Sequence, residues 1–78
     1  MEVGEVLHQA KSGRLIIKLD KEVRVGDILL DAKGKKVAKV MEIIGPVDAP
    51  YASAVALTDR VKKYIGSKVY LKERKRRR

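Results

Sequence analysis

The chain has 78 residues, no cysteine, one histidine and a formal net charge of +9. These figures exclude disulfides, cysteine-held metals and histidine clusters. A chain this short buries only about 60% of its unfolded surface, so it needs tight aliphatic packing, a partner surface, or both.

In chain order, the pattern is β throughout. Val3 to Ala10 is a candidate strand, ended by the turn Lys11-Ser12-Gly13, and Arg14 to Leu19 is the second arm of a hairpin. Asp20 to Gly26 is a charged loop whose Val23 and Val25 are expected to tuck back onto the core. Asp27 to Ala32 is an apolar run too short for a helix. Lys33-Gly34-Lys35 is a tight turn, with Gly34 supplying a positive φ. Lys36 to Ile44 is the longest strand and Tyr51 to Leu57 the next. Thr58-Asp59 is placed to cap a short helical turn through Ile65, with Gly66 as its left-handed terminator. Lys68 to Leu71 closes the fold. Six short strands around one core predict an all-β, closed six-stranded barrel with one short helical turn, because closure removes exposed sheet edges. The barrel occupies residues 1–71 and a basic tail residues 72–78.

Two strands carry more than fold. On Lys36 to Ile44 neither face is cleanly apolar: Val37, Lys39, Met41 and Ile43 alternate with Lys36, Ala38, Val40, Glu42 and Ile44. Either a bulge near Ala38-Lys39 shifts the alternation by one residue, or an apolar patch faces outward to meet a partner. On the next strand, Tyr51, Ser53, Val55 and Leu57 suit the core. Ala52, Ala54 and Ala56 then form a smooth outward row that another surface, or the fold's own loops, can approach closely.

The charge is concentrated at one end. Lys72, Arg74, Lys75, Arg76, Arg77 and Arg78 with Glu73 give the tail +5, and the 13 bases and 9 acids of residues 1–71 give +4. Such an arm favours polyanions, in a cell mostly nucleic acid. Asparagine is absent and glutamine occurs once, at Gln9, while 37% of residues are charged, a composition of heat-adapted proteins. Three tyrosines are the only aromatics, too few to make stacking platforms for reading single-stranded bases.

Sites for chemistry are sparse. His8 reads as a packed or hydrogen-bonded structural residue. Ser12, Ser53 and Ser67 are not in a nucleophile elbow, and no glycine-rich phosphate loop precedes a helix. A non-enzyme is expected, with no cofactor, no metal and no small-molecule substrate. No apolar run approaches the ~20 residues of a membrane-spanning helix, and Glu2 and Glu5 stand where a signal peptide is basic. The expected location is the cytoplasm, with no membrane partner.

The most specific stretch is Lys36 to Tyr51. A long strand ends in a turn set by Gly45, and Pro46 and Pro50 stiffen the path to Tyr51. A rigid apolar loop with a tyrosine at its exit loses little entropy on docking, and tyrosine is an efficient interface anchor. Met41, Ile43, Ile44, Gly45, Pro46, Val47, Pro50, Tyr51, Ala52 and Ala54 are the candidate partner-binding residues.

This stretch resembles the core signature of the Gar family, the glycine-arginine-rich proteins of box H/ACA ribonucleoproteins, in its short archaeal form. The resemblance covers Glu2 to Leu71. Its matching positions are Gly4 and His8, Gly13-Arg14-Leu15, Gly26 with Asp31, Val37 to Val40, Gly45-Pro46-Val47, Pro50-Tyr51, and Gly66 to Tyr70. The family usually has glycine where this chain has Ala38, and often an aromatic where it has Ile44. The resemblance implies a barrel like those of translation factors and a dyskerin-like pseudouridine synthase as direct partner. It also implies a role in substrate RNA loading and release during rRNA pseudouridylation and ribosome biogenesis. Guide RNA and the other particle proteins, a kink-turn-binding protein and a small Nop protein, would be met only indirectly. Read without the resemblance, the turns at Val25-Gly26-Asp27 and Gly34-Lys35-Lys36-Val37 fit a PRC-type or translation-factor-like barrel that meets ribosomal protein or rRNA directly. A third reading is an RNA binder acting through its tail.

Overall fold

A computed structural model describes residues 1–46 and 48–71. Val47 and the basic tail 72–78 lie outside the described residues. The elements are β1 (Glu2–Gln9), β2 (Leu15–Leu19), β3 (Ile28–Leu30), β4 (Lys36–Ile44), β5 (Tyr51–Ala56), α1 (Val61–Tyr64) and β6 (Lys68–Leu71). The six strands close into an antiparallel barrel in the order β1-β2-β5-β4-β3-β6, the all-β architecture with one short helical turn that the sequence predicts. Its seam is β1 against β6, where Gly4 faces Val69 and Glu5 faces Lys68. Lys68 also reaches Glu2 at 3.5 Å and Glu5 at 3.4 Å across this seam. These are exposed pairs of small energetic weight.

The interior is narrow. Val3, Val6, Leu15, Ile17, Leu29, Val37, Val40 and Val69 are fully buried, and Ala38, Ala52 and Ala54 fill the remaining space. A six-stranded barrel has little room for large side chains from every strand, so alanine alternates with branched residues around the girth. Gly4 marks the tightest approach. A Cβ there would collide with the Lys18 carbonyl oxygen on β2.

The alternation on β5 is the reverse of the sequence expectation. Ala52 and Ala54 face inward, opposite Ile17 and Leu15 of β2, while Val55 and Leu57 are exposed. The partners explain the inversion. With Leu15 and Ile17 already inside, the space beside them on β5 admits only methyl groups. Val23 does fold onto the core, but Val25 is 62% exposed. Nor does Thr58-Asp59 cap the helix: Arg60 stands at the N-cap without a side-chain bond, and the Thr58 hydroxyl instead accepts the Arg60 N–H at 3.2 Å.

β4 carries two bulges. Against β3, Ala38 faces Leu29 and Lys36 faces Leu30, so Val37 is the extra residue. Val37 and Ala38 are consequently both buried. Against β5, Val40 faces Ala54 and Glu42 faces Ser53, so Met41 is the extra residue. This second bulge shifts the phase by one position, which turns Glu42 outward instead of into the barrel.

One polar latch ties the β3–β4 turn to α1. Asp31 accepts the backbone N–H groups of Lys33 and Lys35 at 2.9 and 2.8 Å, and the Tyr64 hydroxyl donates to its second oxygen at 2.9 Å. The Lys35 N–H, foremost among these contacts, holds the Asp31 carboxyl below its usual range; the bond to Asp31 pushes the Tyr64 phenol up. Asp31 therefore adds stability that is present above its unfolded pKa of about 3.9 and is lost as pH falls through the lower folded value. Tyr64 has the opposite sign: its contribution is present below pH ~10 and is lost as pH rises through the higher folded value. Asp31→Asn should flatten the pH dependence of the urea midpoint at both ends. Tyr64→Phe should flatten the alkaline end while leaving most of the acid dependence. Unchanged profiles for both variants would show that the latch does not couple to folding.

Candidate docking surface

β3 covers β4 only as far as Lys39, and the preceding loop adds two bonds at Val40, from the Gly26 N–H at 2.7 Å and to the Asp27 carbonyl at 2.9 Å. Beyond Val40, β4 pairs only with β5 among the described residues. Glu42, Ile43 and Ile44 face Ser53, Ala52 and Tyr51. The strand thus leaves the barrel as a two-stranded ribbon with one open edge.

The ribbon's side chains divide by face. Ile43 lies on the Ala52 side and lines a cleft of about 480 Å³ with Leu19, Val23, Pro50 and the polar rim Asp20, Lys21, Glu22 and Asp48. Ile44 points the other way, beside Tyr51, and is 45% exposed. Met41, set on the bulge, is 39% exposed; Val55, 38% exposed on the outward face of β5, stands opposite Lys39 just short of the ribbon. Lone exposed apolar residues are ordinary on a protein surface; several gathered at one ribbon are not.

The turn that follows is held in place. Gly45 has a φ of +94° and the Tyr51 ring lies against it, 3.5 Å from where a Cβ would stand. The Ala49 N–H donates to the Pro46 carbonyl at 3.2 Å, and the Leu19 N–H to the Pro50 carbonyl at 3.1 Å. Pro46 is exposed, whereas Pro50 and Tyr51 are half-buried.

Of the sequence-derived candidates, Met41, Ile43, Ile44, Gly45, Pro46, Pro50 and Tyr51 come together here. Ala52 and Ala54 do not, because both are fully buried inside the barrel. Val47 and the tail bases Lys72, Arg74, Lys75, Arg76, Arg77 and Arg78 lie outside the described residues. Val55 and the Leu19–Val23 rim of the cleft were missed. The signal for Val55 was the bulk of Leu15 and Ile17 on the neighbouring strand, which leaves no room for valines opposite.

His8 is exposed on β1 and makes no side-chain hydrogen bond among the described residues, contrary to the packed or hydrogen-bonded role expected of it. Among the described residues no group of three or more His, Asp or Glu side chains is placed to hold a metal ion. None of the described helices is long and apolar enough to cross a membrane.

Comparison with known proteins adds lineage. The chain is 31% identical over 71 residues to an uncharacterized protein of Methanocaldococcus jannaschii, covering 91% of this chain and 84% of that protein. It belongs to that protein's family. An uncharacterized protein of Methanothermobacter thermautotrophicus is 33% identical over 51 residues, 65% of this chain and 55% of that one. Both relatives are archaeal, and no protein-family model matches the chain.

The inner face of β5 and the outer face of the β4 ribbon make a direct check. Ala54→Leu, inside, should overpack the core by about 1–3 kcal/mol and lower the melting temperature by roughly 4–20 °C. Ile44→Asp, outside, should move stability by no more than about 0.5 kcal/mol. Thermal melts followed by circular dichroism would read both, and equal losses would place Ile44 in the folding core.

Proposed function

We propose that this protein is a non-catalytic subunit of a box H/ACA-type RNA-guided pseudouridylation particle, docking on the dyskerin-like synthase and aiding the loading and release of substrate RNA. The observation that carries the docking half of this reading is the ribbon from Met41 to Tyr51. It offers apolar side chains on a preformed support, which is what an interface anchor needs. The RNA half rests on the family resemblance of Gly45-Pro46-Val47 and Pro50-Tyr51, together with the basic excess of the chain. Archaeal relatives agree with the short archaeal form of that family.

An interface of this kind buries apolar surface, so it survives salt that screens exposed charges. The protein should co-elute with the synthase subunit in size-exclusion chromatography, without RNA, at low salt and at roughly 0.5–1 M. Ile44→Asp and Tyr51→Asp should each weaken the complex about thirtyfold or more, as loss of an interface anchor does. Full binding by both folded variants would overturn the surface. No complex at either salt would favour a barrel that meets ribosomal protein or rRNA directly.

A further inference from the structure

Among the described residues, unpaired positive charge is concentrated at one end of the barrel. The cleft at the ribbon end carries Asp20, Glu22 and Asp48 around one lysine, Lys21. The other end is built from the β3–β4 turn and α1, which the Tyr64–Asp31 bond holds together. It exposes Lys33, Lys35, Lys36, Arg60, Lys62 and Lys63. Its acids are few. Asp31 is consumed by the turn and by Tyr64, and Asp59 shares a cleft with Arg60, Lys62 and Lys63. Lys63 also lines the adjoining cleft, of about 420 Å³, with Lys33, Tyr64, Ser67 and Lys68. Lys68 is already paired with Glu2 and Glu5, but none of the other six cations forms an ion pair among the described residues.

We propose that this basic end, centred on Lys33, Lys62 and Lys63, binds the phosphate backbone of double-stranded RNA, on the face of the barrel remote from the docking ribbon. Its remoteness follows from β4, whose first residue, Lys36, leaves the turn, and whose last, Ile44, sits eight residues further along at the ribbon. At ~3.3 Å per residue that is about 26 Å.

Two observations select the ligand. Lysine is depleted at the centres of protein interfaces, whereas lysine and arginine dominate phosphate contacts. Little aromatic surface accompanies the charges: the Tyr64 ring is buried with the Lys63 ammonium 5.5 Å from its centroid, and Tyr70, the other aromatic lining this cleft, is half-buried. Successive bases of a single strand therefore find no row of exposed rings to stack on, which favours backbone contact to a duplex. The choice of RNA over DNA rests on the proposed particle, and direct contact departs from the family resemblance, which implies that guide RNA is met only indirectly. The basic end extends that proposal by giving the docked subunit a grip on RNA that the tail alone does not account for.

The test is fluorescence anisotropy of the full chain with a labelled ~20-base-pair RNA duplex across a salt series. The triple variant K33Q/K62Q/K63Q should bind at least about tenfold more weakly near 0.1 M salt. Its slope of log affinity against log salt should shrink by two to three, about one per lost phosphate contact. The same comparison on a background with Arg74, Arg76, Arg77 and Arg78 changed to Gln removes the tail's share, and the loss should persist. An unchanged triple variant in both backgrounds would overturn the proposal. A DNA duplex that binds tighter than RNA would overturn the assignment to RNA. Competition by polyglutamate as effective as by RNA would transfer the surface to an acidic protein. The triple variant should still co-elute with the synthase at high salt. If wild-type protein never forms that complex yet shows the RNA result, the docking proposal fails and the basic end stands.

Discussion

Everything distinctive about this molecule depends on one strand being longer than the barrel it helps to close. β4 has nine residues, and its neighbours on the two sides release it at different points. A regular strand continued past the rim would alternate without interruption, putting Glu42 on the interior side and Ile43 outside. The bulge at Met41 reverses that assignment at the cost of one unpaired residue. Glu42 meets solvent, Ile43 closes over the mouth of the barrel, and Ile44 joins Tyr51 outside. One irregularity in the ladder thus protects the core from a carboxylate and assembles an apolar surface where the sheet has an open edge.

The second constraint is girth. Six strands enclose an interior that branched side chains from β1, β2, β3 and β6 nearly fill, which leaves β5 the role of a spacer. Ala52 and Ala54 are small because they are inside, not because something approaches them from outside. The same economy of space explains Gly4, whose missing side chain lets β1 pass close to the Lys18 carbonyl as the seam closes. A chain without cysteine, and so without disulfides, relies on such fits, since small domains have little burial to spare.

How far the sequence was legible follows from these two constraints. The strands and turns could be read nearly residue by residue, because glycines at positions 13, 26, 34, 45 and 66 all adopt positive φ and punctuate a valine- and isoleucine-rich chain. The bulge on β4 was also legible as a broken alternation, though its second member at Met41 was not. The direction of β5 was illegible from its own residues, because both of its faces are apolar and alternation alone fixes period, not sign. Only the neighbour across the ladder supplies the sign, and pairing order is a property of the closed barrel. Asp31 shows the same limit. Its place before a tight turn was visible, but its bond to Tyr64 spans 33 residues and depends on α1 folding back over the turn.

The placement of charge then follows from the same geometry. A docking surface made of apolar residues gains when strong cations are kept away from it, because a lysine desolvated against a partner must find a counter-charge or be left unpaired. In this barrel six cations gather on the turn and helix at the far end of β4, while the cleft at the ribbon end carries three carboxylates beside Lys21, with Lys18 opposite Tyr51. Long-range attraction to a polyanion would therefore orient the barrel with its basic end toward RNA and its ribbon outward, so the two proposed contacts do not compete for one face. The Asp31–Tyr64 bond has a part in that separation: it fixes α1 against the turn, so Lys33 and Lys63 share one cleft instead of sampling independent positions. A latch that looks purely structural is then also what gives the basic end a defined shape.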